Sequence, residues 1–188
     1  MIELVEINDL VTLIETKRGV APFVVAIEGF GGSGKSTLAT HLATRLSDSA
    51  VVPMDDFILK EHILDERNEK HFDLARVERE ALIPFTQGLP FNYRRLDWET
   101  NSLVPVDGMI DSTLVILEGT CSFHPKLEPY VDVRVWVETP IDIATARGRA
   151  RDAGNENEQH WDRWQATDVA YLAEFTPNRR ADVTIAGS

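Results

Sequence analysis

Cysteine is almost absent from this sequence, because its 188 residues include only Cys121. A single thiol cannot form an internal disulfide, which fits a reducing compartment. We expect Cys121 to be a small buried residue rather than a catalytic thiol. Hydrophobic residues make up 43% of the chain and charged residues 27%. These values predict a single globular domain that spans residues 1–188.

Long apolar runs are also missing. No stretch approaches the roughly 20 apolar residues that a membrane-spanning helix needs. Residues 1–6 lack the basic start and the apolar centre of a signal peptide. We therefore expect a cytoplasmic protein with no membrane partner.

Basic residues are scarce relative to acidic ones. The chain has 19 Lys and Arg against 31 Asp and Glu, and its formal net charge is −12. An acidic surface argues against a nucleic acid as the partner, so any phosphate ligand must be held by local basic groups. The five histidines are scattered without the spacing of zinc ligands.

One stretch carries a specific motif, Gly29-x-x-x-x-Gly34-Lys35-Ser36, which is the pattern of a phosphate-binding P-loop. Residues 23–28 before it read as a buried strand, and leucines recur at helical spacing after it. Glycines let the backbone amides approach a phosphate chain, the lysine reaches the β- and γ-phosphates, and the serine hydroxyl can bind Mg²⁺. The pattern therefore predicts a bound phosphate chain, with its β- and γ-phosphates at Lys35, and Mg²⁺ beside it. The predicted nucleotide-binding residues are Gly29, Gly31, Gly32, Ser33, Gly34, Lys35, Ser36 and Thr37.

Acidic residues follow two further predicted strands. Asp55 and Asp56 come after residues 50–54, and Glu118 comes after the apolar run 113–117. Ligands of open parallel sheets bind at the carboxyl ends of strands, so these carboxylates are expected near the phosphates. One of them could accept a proton from an attacking hydroxyl, and others could bind Mg²⁺. The predicted metal ligands are Ser36, Asp55 and Glu118.

The remaining elements alternate between strands and helices, which predicts a three-layer α/β fold with helices on both faces of a parallel sheet. Residues 91–98 and 102–106 are expected to form a small hairpin. The predicted helix 141–152 carries Arg147, Arg149 and Arg151. These arginines either complement the helix dipole or clamp a phosphate. Residues 152–161 read as a lid, and 58–73 and 91–106 as insertions on the substrate side.

Several motifs resemble those of the uridine kinase family of P-loop kinases and occur in the same order. That family is related to pantothenate kinase and phosphoribulokinase. They are the P-loop, Met54-Asp55-Asp56-Phe57, His71-Phe72-Asp73, Tyr93-x-x-Leu96-Asp97-Trp98, Leu117-Glu118-Gly119, Arg147 to Asp152 and Arg180-Ala181-Asp182. The resemblance implies a five-stranded parallel sheet and an ATP-dependent kinase of a small-molecule hydroxyl.

The resemblance also implies roles for individual residues. Asp55 would be the catalytic base, with Lys35, Arg147 and Arg151 acting on the transferred phosphate. Glu118 would lie near Mg²⁺. The predicted acceptor-binding residues are Asp73, Tyr93 and Asp97, of which Asp73 would bind ribose hydroxyls.

Several positions depart from the family pattern. Ile58 stands where a tyrosine is usual, Leu96 replaces an aromatic residue, and Asn101 falls near a base-recognising histidine. The acceptor could therefore be a nucleoside such as uridine or cytidine, or another small alcohol such as a sugar or a pantothenate-like compound. A non-catalytic nucleotide-binding protein is a third reading, and a homo-oligomer is compatible with the sequence. A GTPase is disfavoured, because no guanine-specifying segment follows a late strand.

Overall fold

A parallel sheet of five strands forms the centre of the protein, in the order β2-β5-β1-β6-β7. The structure is a computed structural model that describes residues 4–20, 22–59, 72–97, 100 and 102–187. The strands are β1 (Phe23–Glu28), β2 (Ser49–Pro53), β5 (Leu114–Glu118), β6 (Val133–Glu138) and β7 (Val183–Ala186), and the antiparallel hairpin is β3 (Arg94–Asp97) with β4 (Ser102–Pro105).

Helices cover both faces of the sheet. They are α1 (Ile7–Lys17), α2 (Lys35–Arg45), α3 (Leu74–Arg76), α4 (Ile83–Thr86), α5 (Ile141–Asp152), α6 (Trp161–Phe175) and α7 (Pro177–Arg180). One core cluster joins α1 and α2 to one face of the sheet, and a second joins α3, α4 and α6 to the other face. Every residue of β1 and of β5 is buried, as expected for parallel strands covered on both sides. The predicted α/β fold with its five-stranded parallel sheet is therefore confirmed.

The strand register brings the chemically important strand ends together. Glu118 at the end of β5 pairs with Ile27 of β1 and with Pro53 of β2. The segments that leave these strands are the glycine-rich loop after β1, the acidic turn after β2 and Gly119 after β5. They therefore meet at one edge of the sheet, as predicted from the position of the acids at the carboxyl ends of parallel strands.

Two helical segments depart from regular geometry. Helix α1 begins at Ile7 after Glu6, without a side-chain cap. Between α3 and α4 lies a π-helical segment, Val77–Leu82, in which the amide of Ile83 donates to the carbonyl of Glu78. This wide turn directly precedes Pro84, which has no N–H to continue an α-helical ladder.

Part of the predicted substrate side lies outside the described residues, including His71, Trp98, Asn101 and most of the 58–73 insertion. Over the part of the chain that is described, no helix has the length and apolar character needed to cross a bilayer.

Candidate active site

The glycine-rich loop after β1 has the backbone shape that its sequence predicts. Gly32 and Gly34 have φ values of +80° and +101°, a region that glycine adopts without strain. A Cβ atom on Gly32 would also lie only 2.2 Å from the carbonyl oxygen of Ala144. Lys35 begins α2, and its Nζ donates a hydrogen bond to the carbonyl of Phe30 at 2.9 Å. The glycine backbone of the loop and the lysine side chain thus line the space above the loop.

A cleft of about 640 Å³ lies beside this loop. Its lining includes most of the predicted phosphate-handling residues: Gly31, Gly32, Gly34, Lys35, Ser36, Thr37, Asp55, Glu118, Arg147 and Arg151. Gly29 and Ser33 are the predicted loop residues that do not line the cleft together with these; Ser33 is fully buried, and its carbonyl accepts a hydrogen bond from the hydroxyl of Thr139. The structure therefore gathers loop, acids and arginines around one space.

Two predicted metal ligands already touch each other. The Ser36 hydroxyl donates to the Glu118 carboxylate, with Oγ 3.1 Å from Oε1. Burial raises the pKa of Glu118, although the nearby charge of Lys35 opposes the shift, and the neighbouring Asp55 raises it further. No group of three or more acidic, histidine or cysteine side chains that could hold a metal occurs in the described ranges. A hydroxyl and one or two carboxylates nevertheless fit Mg²⁺, which takes its other ligands from phosphates and water.

The adjacent acids Asp55 and Asp56 face different surroundings. Both lie in the short 3₁₀ turn Met54–Phe57 after β2. Asp55 is exposed and lines the cleft. The carboxylate of Asp56 instead accepts a hydrogen bond of 2.9 Å from the hydroxyl of Tyr93. Burial raises the pKa of Asp56, and the bond from Tyr93 opposes that shift. The turn therefore directs Asp55 to the cleft and Asp56 towards the hairpin side.

Arg76 is a structural residue of this site that sequence reasoning missed. It is only 1% exposed, and its guanidinium lies over the ring of Phe57 at 4.8 Å. It donates to the backbone carbonyls of Asp56, at 3.2 Å, and of Arg94. Arg76 thereby ties the acidic turn to the hairpin. The sequence gives no signal for this, because an arginine within an amphipathic helix is usually at the surface.

The three predicted acceptor-binding residues do not line the cleft among the described residues. Asp73 caps α3, since its carboxylate accepts from the backbone amide of Arg76 at 3.0 Å. Tyr93 is buried, with its ring 5.0 Å from that of Phe57. Asp97 ends β3 and accepts from the hydroxyl of Thr100. Their binding of an acceptor stays a prediction.

A small network of hydrogen bonds holds Arg151 near the end of α5. Both Nε and Nη2 of Arg151 donate to the carboxylate of Asp152 at 2.9 Å. The indole Nε1 of Trp161 donates to the same carboxylate at 3.0 Å. The bond from Arg151 lowers the pKa of Asp152. By contrast, Arg149 forms an exposed ion pair with Asp162 on α6. Of the three predicted arginines, Arg147 and Arg151 thus line the cleft.

The last residue of β1, Glu28, is a buried acid directly beneath the loop. It is 1% exposed, and one of its oxygens accepts from the backbone amide of Phe123 at 3.1 Å. Burial raises its pKa to about 7. The site therefore contains a carboxyl group that titrates near neutrality without reaching the cleft lining.

Comparison with curated proteins finds relatives that are named uridine kinases. The chain is 24% identical to the uridine kinase of Halobacterium salinarum over 88% of its own length and 80% of the relative. It is 26% identical to that of Clostridium botulinum, over 70% of this chain and 69% of the relative. It is also 28% identical to uridine kinase-like protein 4 of Arabidopsis thaliana, of which it spans only 30%. No family model matches the chain.

Two solved structures share the fold over nearly the whole chain. A provisionally assigned uridine kinase from Bacillus stearothermophilus has a TM-score of 0.73 at 21% identity, covering 95% of this chain and 96% of that one. A protein provisionally assigned as a fructose transport system kinase, from Silicibacter sp. TM1040, has a TM-score of 0.71 at 24% identity, covering 96% and 98%. The predicted resemblance to uridine kinase-like P-loop kinases is confirmed, and the relatives support a kinase of a small molecule.

Proposed function

We propose that this uridine kinase-like protein transfers the γ-phosphoryl group of ATP to a hydroxyl group of a small molecule. The observation that carries the proposal is the single cleft in which Lys35 and Ser36 share a lining with the exposed carboxylate of Asp55. Phosphoryl transfer depends mainly on positioning and on charge stabilisation, and this cleft offers groups for both.

Each side of the cleft has a separate task in the proposed reaction. The loop amides and Lys35 hold the β- and γ-phosphates, while Arg147 and Arg151 stabilise charge on the transferring group. Asp55 orients the acceptor hydroxyl and accepts its proton. Bound Mg²⁺ would neutralise charge on the phosphates, with Ser36, Glu118 and Asp55 as the residues able to hold it.

The proposed acceptor is a nucleoside that resembles uridine or cytidine. Support comes from relatives that are named uridine kinases. In this proposal Asp73, Tyr93 and Asp97 contribute to acceptor binding, as the family motifs imply. Ile58 forms an apolar part of the cleft lining, beside Phe72, where a tyrosine is usual in the family. That difference makes another small alcohol, such as a sugar or a pantothenate-like compound, the second candidate.

An acceptor panel tests this proposal. ADP release from Mg-ATP is measured with uridine, cytidine, other nucleosides, fructose and pantothenate, using wild-type protein and Lys35→Ala. We expect acceptor-dependent turnover with a pyrimidine nucleoside and a loss of several orders of magnitude in Lys35→Ala. A sugar or pantothenate as the preferred acceptor would select the second candidate. Binding of ATP without turnover on any acceptor would contradict the kinase and favour a nucleotide-binding protein.

A further inference from the structure

Helix α6 makes a direct hydrogen bond to the phosphate-binding loop. The backbone amide of Gly31 donates to Oδ2 of Asp168 at 2.9 Å. Asp168 is half-buried and shares the lining of the cleft with the loop. A hydrogen bond to an ionised carboxylate is about twice as strong as one between neutral groups. The contact is therefore strong enough to influence the shape of a glycine-rich loop.

A second residue of α6 fixes the distance between this helix and the loop. The ring of Trp161 packs so closely that a Cβ atom on Gly31 would lie 3.2 Å from it. A Cβ atom on Gly148 of α5 would lie 1.9 Å from the same ring. Trp161 therefore packs against both the loop and α5. This packing holds α6 in the position where Asp168 reaches the Gly31 amide.

We propose that Asp168 is a positioning residue for the donor nucleotide. It holds the first half of the loop in the shape that binds phosphate, so less conformational freedom is lost when the nucleotide arrives. This inference rests on the proposed use of the loop for ATP. The negative charge of the carboxylate itself opposes a triphosphate, so the hydrogen bond and the charge act on nucleotide affinity in opposite directions.

Two substitutions separate the hydrogen bond from the charge. Asp168→Ala removes both, whereas Asp168→Asn keeps an oxygen acceptor of nearly the same shape and removes only the charge. Glu174→Ala is the matched control, because Glu174 is an exposed carboxylate on the same helix, six residues further along the chain. Mg-ATP binding is measured by calorimetry without any acceptor, and the KM values for ATP and for the acceptor are measured in the turnover assay.

We expect Asp168→Ala to weaken Mg-ATP binding about tenfold or more, as for the loss of one hydrogen bond to a charged group. The KM for ATP should rise in parallel, while kcat and the KM for the acceptor stay close to wild type. Asp168→Asn should remain within about threefold of wild type in affinity, and Glu174→Ala should be unchanged.

Three results would overturn the proposal. Unchanged or tighter binding in Asp168→Ala would mean that the carboxylate does not support the loop or that it competes with the nucleotide. Equal weakening in Asp168→Asn would show that accepting the hydrogen bond is not what matters. Unfolding of both variants in a thermal melt would assign Asp168 to the fold alone. Because binding is measured without acceptor, these results differ from a failure of the kinase proposal, in which wild-type protein binds ATP but transfers no phosphate.

Discussion

Substitution of Asp152 is the sharpest test of how Arg151 is positioned in the cleft. Its carboxylate accepts two hydrogen bonds from Arg151 and one from Trp161, and the residue is 4% exposed. Asp152→Asn keeps the size of the side chain but leaves one oxygen acceptor for three donors. An amide NH₂ must then face at least one donor of Arg151 or Trp161.

The expected effect on stability follows from those three bonds. The Arg151 side chain is 66% exposed, so the loss of its ion pair is largely screened by water. One orientation of the amide leaves the buried indole N–H of Trp161 without an acceptor, which costs about 1–3 kcal/mol, and the other places the NH₂ group against Nε of Arg151. We expect Asp152→Asn to lower the free energy of unfolding by about 1–2 kcal/mol at neutral pH. Because Arg151 would no longer be oriented, kcat should fall about tenfold with little change in the KM for ATP.

The pH dependence of this effect has a defined direction. The bond from Arg151 keeps the pKa of Asp152 below its ordinary value of 3.8, so the folded state favours the ionised carboxylate. Its stabilising contribution is therefore complete above that value and is lost as the pH falls through the lower pKa of the folded state. The stability difference between wild type and Asp152→Asn should narrow below about pH 4.

The assay is urea unfolding together with steady-state kinetics, and Asp162→Asn is the control. Asp162 forms the exposed ion pair with Arg149, and its side chain is 89% exposed. The same chemical change there should alter the free energy of unfolding by less than about 1 kcal/mol and leave kcat unchanged. If Asp152→Asn and Asp162→Asn behave alike in both measurements, the reasoning about Arg151 is wrong.

Three further substitutions test packing, a buried cation and a buried acid. Gly148→Ala places a Cβ atom against the ring of Trp161 and should destabilise the protein by about 1–3 kcal/mol in urea; wild-type stability would contradict that packing. Arg76→Met leaves the carbonyl of Asp56 without its donor and should lower the free energy of unfolding by about 3 kcal/mol in the same assay, whereas a loss below about 1 kcal/mol would contradict the role of Arg76 in joining the acidic turn to the hairpin. Burial raises the pKa of Glu28 from 4.5 to about 7, so wild-type stability should decline as pH rises through that interval. Glu28→Gln should remove that decline when thermal melts are recorded over this pH range. An equal decline in wild type and Glu28→Gln would contradict the raised pKa of Glu28.

The parts of the site that were predicted from sequence are those with a local signal. The loop has a pattern that specifies its own geometry, and Lys35 and Ser36 follow from it. Asp55 and Glu118 were predicted because residues after parallel strands share one edge of the sheet. The predicted bounds of α5, 141–152, match the observed Ile141–Asp152, since Thr139-Pro140 marks the start of the helix.

The parts that were missed depend on contacts between distant segments. Asp168 meets Gly31 across 137 positions of sequence, and no local pattern marks it as different from other helix acids. The backbone partners of Arg76 lie on the hairpin and on the acidic turn, 18 and 20 positions away in sequence. The hydroxyl of Tyr93 bonds to Asp56, because a buried tyrosine needs a partner whether or not a substrate is present.

The most direct test of the central claim compares the two neighbouring acids of the turn after β2. Phosphoryl transfer to the best acceptor and Mg-ATP binding are both measured for Asp55→Asn and Asp56→Asn. Asp55 lines the cleft while Asp56 is bonded to Tyr93, so we predict that Asp55→Asn abolishes transfer and leaves Mg-ATP binding nearly intact. Asp56→Asn should retain most of the activity. Full transfer by Asp55→Asn, or loss of transfer only in Asp56→Asn, would contradict the proposed active site.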